Sequence, residues 1–96
     1  MDAKRINAIV SGRVHGVGFR YFVLRVADKL GVTGWVRNLD NGDVQVVAQG
    51  SAELLEQLLL QLRQGPRAAY VQNVSVEWGE PDPHLDSFEL KLTSYH

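Results

Sequence analysis

Residues 6–31 read INAIVSGRVHGVGFRYFVLRVADKLG, and the rhythm of the apolar side chains changes once within them. Ile6, Ala8 and Val10 alternate with Arg5, Asn7 and Ile9 in the period of two that marks a strand, and the pattern stops at Gly12. From Arg20 the period becomes helical. Phe22, Val26 and Leu30, with Val23 and Ala27, make one apolar stripe, Arg25, Asp28 and Lys29 face away, and Gly31 supplies the stop, which predicts a helix over 20–30. Between strand and helix lie Gly12, Gly16 and Gly18 together with Arg13 and Arg20. A turn so built is suited to wrapping a ligand.

Outward from this unit the remaining elements follow. VTGWVRN is β-branched and aromatic, and it leads through Leu39, Asp40, Asn41 and Gly42 into the alternating run Val44, Val46, Ala48. Asn-Gly between two such runs predicts an antiparallel hairpin. Ser51 is placed to cap the next helix rather than to act as a nucleophile, and Glu53 suits that helix's positive end. Leu55, Leu58, Leu59 and Leu62 recur at helical spacing until Gly65-Pro66, giving a helix over 52–64. Val74, Val76 and Trp78 form a fourth strand; beyond the turn at Pro81 and Pro83, Phe88, Leu90 and Leu92 alternate with Glu89, Lys91 and Thr93 in a short fifth. Trp35, Trp78, Phe22 and Phe88 are read as core residues. The order β-α-β-β-α-β plus a terminal strand predicts an α+β, ferredoxin-like sandwich, with both helices on one face of an antiparallel sheet. All 96 residues are expected to form one domain.

Bulk properties narrow the function. Ten Lys and Arg against eleven Asp and Glu give a formal charge of -1, so the wide positive field of a non-specific nucleic-acid binder is missing and any anion site must be local. A chain without cysteine has no disulfide framework, thiol nucleophile or thiolate metal cage, which fits the cytoplasm. The first residues carry no long apolar segment, and later apolar runs fall short of the roughly 20 residues that span a bilayer. No membrane or nucleic-acid partner is expected. His84 and His96 have no second ligand at metal-binding spacing, and Asp40, Asp43, Asp82 and Asp86 flank turns. No metal or other cofactor is expected.

The predicted topology sets strands one and two parallel, with strand three between them, so the ends of both emerge at one edge. There the glycine-rich turn and Arg20 meet Asn38 across two interstrand spacings of ~4.8 Å. Glycines allow successive N–H groups to turn inward as a nest, a helix N-terminus adds about half a positive charge, and a guanidinium can grip two phosphate oxygens in a fork. The turn is neither a P-loop, lacking Gly-Lys-Ser/Thr, nor a dinucleotide fingerprint, whose third glycine is replaced by Tyr21. His15 is read as a solvent-facing loop residue rather than a base, and Arg13 and Arg37 as secondary contributors of positive potential.

VSGRVHGVGFR at 10–20 and GWVRNLDNGDVQVVAQG at 34–50 closely resemble the two motifs of the acylphosphatase family, in the right order and over essentially the whole chain. The resemblance implies metal-free hydrolysis of the carboxyl-phosphate bond of acyl phosphates, with release of a carboxylate and inorganic phosphate. It further implies that Val14, His15, Gly16, Val17, Gly18, Phe19 and Arg20 bind phosphate, that Arg20 and Asn38 are catalytic, and that Asn38 orients the attacking water. Many members of the family carry Gln where this chain has His15. A monomeric, cytoplasmic enzyme is the expectation. The rival is a non-catalytic module of the same kind that binds phosphate or carbamoyl phosphate, like the related domain in larger carbamoyl-transferring maturation proteins of hydrogenases. An RNA-recognition domain would need aromatics on the third strand, and a metal chaperone would need Cys-x-x-Cys; neither is present.

Overall fold

The computed structural model describes residues 2–92; Thr93 of the predicted fifth strand and His96 lie outside them. The elements run β1 (Ala3–Arg13), α1 (Phe19–Leu30), β2 (Thr33–Asn38), β3 (Val44–Ser51), α2 (Ala52–Gln64), β4 (Tyr70–Gly79) and β5 (Phe88–Leu90). The sheet order is β4-β1-β3-β2-β5. β3 pairs antiparallel with both β1 and β2, and β4 pairs antiparallel with β1. The ferredoxin-like βαββαβ sandwich is therefore the fold. Its added strand β5 lies parallel to β2, with Gly34 opposite Phe88 and Val36 opposite Leu90, so that one edge of the otherwise antiparallel sheet is mixed.

The core lies between the sheet and the two helices. Ile6, Ala8 and Val10 of β1, Val36 of β2, and Val44, Val46 and Ala48 of β3 meet Val23 and Ala27 of α1 and Leu55, Leu58 and Leu62 of α2, all fully buried. The period-two and period-3.6 patterns of the chain thus converge on one apolar layer. Phe19 joins it from the first turn of α1 and stacks obliquely on Phe22, with ring centroids 5.8 Å apart. In α1 the buried line runs through Phe19, Val23 and Ala27, with Phe22, Val26 and Leu30 half-buried beside it.

Two residues read as core are placed elsewhere. In β2 the buried side belongs to Gly34, Val36 and Asn38, so Trp35 stands on the opposite, helix-free face of the sheet. There the Arg37 guanidinium lies 5.0 Å and the Lys91 ammonium 4.7 Å from its ring, a cation–π arrangement that explains why this face holds a tryptophan. Trp78 is on the edge strand β4 and remains 46% exposed, because an edge position has a neighbouring strand on only one side.

Candidate functional site

The site begins where β1 ends. Gly16 and Gly18 adopt φ of 74° and 77°, left-handed values at which a side chain is strained, and open space surrounds the place a Cβ would occupy at either one. The glycines are therefore required by backbone conformation, and their positions leave the loop's concave side unobstructed. Gly18 is also the N-cap of α1, and no side chain caps this helix. The first helical bond runs from the Phe22 N–H to the Gly18 carbonyl at 3.0 Å, so the N–H groups of Phe19, Arg20 and Tyr21 precede the regular ladder. The first turn carries no acidic residue. Its partial positive charge stays available to an anion.

α2 provides the contrast within the same molecule. Its N-cap Ser51 accepts a hydrogen bond from the Leu54 N–H at 3.3 Å, and Glu53 sits in the first turn. That helix end is closed by its own chain, as the sequence predicted.

Asn38 ends β2, which runs parallel to β1 with β3 between them. It is 5% exposed and is the sole buried polar or charged residue among those described. Among the same residues its carboxamide has no side-chain hydrogen bond, and no fully buried side-chain polar atom lacks a partner. The amide accordingly meets open space at the mouth of a cleft. The backbone holds it there through the tight turn that follows, in which the Leu39 N–H donates to the Asp43 carbonyl at 2.8 Å and the Gly42 N–H to the Leu39 carbonyl at 3.1 Å. Asn41 Oδ1 accepts from the Asp43 N–H at 2.9 Å and completes the turn.

These parts enclose one concavity of about 150 Å³, lined by Val14, His15, Gly16, Gly18, Phe19, Arg20, Tyr21 and Asn38. Of the residues expected to bind phosphate or act in catalysis, all but Val17 line it; the Val17 side chain packs on the core, and Arg13 is not part of the lining. Val14 and Phe19, each 1% exposed, can present only main chain to a ligand. Arg37 is turned away, its Nε donating to Gln45 Oε1 at 2.9 Å on the helix-free face. Tyr21 lines the cleft as well, although the sequence shows it only as the residue after Arg20 on the polar side of a helix. The larger cleft, about 630 Å³ between α1 and the β5 edge, is lined mainly by apolar and backbone groups and holds none of these residues. Among the described residues no group of three or more His, Asp or Glu side chains could hold a metal ion.

A ferredoxin-like sandwich with an uncapped, glycine-built helix start, one guanidinium and one carboxamide in a single small cleft is a recognisable class of protein, one suited to a compact anion. The comparisons narrow the class. The acylphosphatase family model matches residues 6–90. The chain is 47% identical over 87 residues to an acylphosphatase of Trichormus variabilis, covering 91% of this chain and 85% of that one. It is 49% identical over 90 residues to an acylphosphatase of Vibrio cholerae, covering 94% and 99%. The crystal structure of acylphosphatase from Bacillus subtilis superposes with a TM-score of 0.89 at 35% identity, covering 92% of this chain and 98% of that one. The chain belongs to the acylphosphatase family, and it is an enzyme of that kind.

Proposed function

We propose that the chain hydrolyses the carboxyl-phosphate anhydride of acyl phosphates, with the phosphoryl group held by the main-chain N–H groups of residues 14–20 and by Arg20, and with a water directed at phosphorus by Asn38. Water adds to phosphorus in line with the departing oxygen, the P–O bond to the acyl group breaks with its electron pair leaving on the carboxylate, and a phosphate oxygen takes up the water's proton. The products are a carboxylate and inorganic phosphate.

The chemistry makes modest demands. The leaving carboxylate has a conjugate acid of pKa about 4, so it departs at neutral pH without a proton donor. What remains is positioning and neutralisation of charge on the non-bridging oxygens, which fixed donors supply without reorganising. A planar guanidinium beside a nest of N–H groups provides the charge, and a neutral carboxamide can align water by hydrogen bonds though it is too weak a base to deprotonate it. No cofactor is required on this reading.

The observation that carries the proposal is that Arg20 and Asn38, brought from different elements, line the same cleft as the open helix start. Since one chain furnishes every group, we take the working form to be a monomer and the chain, 1–96, to act as a single domain. We assign it to the cytoplasm on its cysteine-free composition; among the described residues no helix is long and apolar enough to cross a membrane. The test is turnover of benzoyl phosphate, with and without chelator. Undiminished hydrolysis in chelator supports the metal-free reaction, whereas phosphate binding without turnover would establish the non-catalytic module instead.

A further inference from the structure

We infer that Tyr21 forms the acyl-side wall of the site and biases it toward acyl phosphates with an aromatic or broad apolar acyl group; this rests on the reading of the cleft given above. A concavity of about 150 Å³ is well below the 300–1,000 Å³ that enclose drug-sized ligands. It accommodates a phosphoryl group and a water, and the organic part of the substrate must lie across its rim.

The rim offers few side chains for that part to touch. Gly16 and Gly18 have none, Val14 and Phe19 are 1% exposed, Asn38 is 5% exposed, the half-buried Arg20 is assigned to the phosphoryl group, and the exposed His15 brings a polar imidazole rather than a broad apolar face. Tyr21, by contrast, is 60% exposed. It sits in the first turn of α1, where the Cα–Cβ bond tilts toward the helix N-terminus and so toward the phosphate loop. Among the described residues its ring has no aromatic partner and its hydroxyl no hydrogen bond, while neighbouring Phe19 and Phe22 stack on each other. The ring therefore adds little to the core and leaves its apolar face free beside the reacting group. A tyrosine brings a rigid contact surface with few rotatable bonds, and an offset or edge-on pair with a flat acyl group is favourable beyond simple burial.

The experiment compares kcat/KM for benzoyl phosphate and acetyl phosphate in the parent, Tyr21→Ala and Tyr21→Phe. The benzoyl-to-acetyl ratio should fall about fivefold in Tyr21→Ala, chiefly through KM for benzoyl phosphate, and return in Tyr21→Phe, as expected for loss and recovery of one aromatic contact. A ratio unchanged in Tyr21→Ala, or lowered equally in Tyr21→Phe, overturns the inference and leaves the proposed reaction intact. A parent that turns over neither substrate overturns both.

Discussion

Asn38 shows how much one side chain's surroundings reveal. A buried polar group normally finds partners within the protein, since leaving one unpaired costs about 1–3 kcal/mol. This carboxamide is buried in everything except its approach to the cleft. Asn38→Ala should therefore change stability little and lower kcat for benzoyl phosphate by roughly 10²–10³-fold, the scale of removing one preorganised donor; a kcat within a few-fold of the parent would remove Asn38 from the reaction. Gly18 makes the complementary case. With φ at 77° and nothing near the missing Cβ, Gly18→Ala introduces backbone strain without a clash. An equilibrium denaturation curve should show a loss of about 1–2 kcal/mol, and phosphate inhibition should weaken as the loop relaxes. At this scale the sequence was most legible where chemistry and conformation agreed: glycines, then arginine, then a helix. It was least legible at Tyr21 and Trp35. Tyr21 looks like any polar-side helical residue until the loop is folded beneath it. In β2, where Gly34, Trp35 and Val36 are consecutive, alternation alone does not say which of the two phases faces the helices.

At the scale of elements, the two helix starts divide the labour. α2 is stabilised by its own cap, so Ser51→Ala should cost about 1 kcal/mol, read as a lower denaturation midpoint with an unchanged slope. Turnover should be retained, since that cap faces away from the chemistry. α1 leaves the same position to a left-handed glycine and its first N–H groups without a side-chain cap. The helices were legible almost to the residue because their stripes end in Gly31 and Gly65, both at positive φ. β5 was less so: three residues after a proline turn do not reveal whether they pair parallel or antiparallel. The helix-free face of the sheet was also hidden. There Arg37 donates to Gln45, and Gln45 Nε2 donates to Asn7 Oδ1 at 3.0 Å, a polar ladder across β2, β3 and β1 that joins the strand bearing Asn38 to the strand leading into the loop. Such pairings depend on register, which alternation alone does not fix.

The molecule as a whole supplies what no segment contains. β1 and β2 are not neighbours; each pairs with β3, and only that closure sets the glycine-rich loop beside Asn38. The unfolded chain has no such site, so phosphate should bind the native state alone and stabilise it by mass action. At ten times its Kd the gain is about 1.4 kcal/mol, and for a domain of this length that raises Tm by roughly 6–10 °C. Arg20→Ala removes the guanidinium from the cleft while leaving sheet and core intact, so its Tm in the absence of phosphate should stay near the parent's and its phosphate-dependent rise should largely disappear. Thermal melting of both proteins over a phosphate series at constant ionic strength makes the comparison, the constant ionic strength separating bound phosphate from general salting effects. An equal rise in the two proteins would show that phosphate acts elsewhere on the surface, and would sever the link between this fold and the anion at its strand ends.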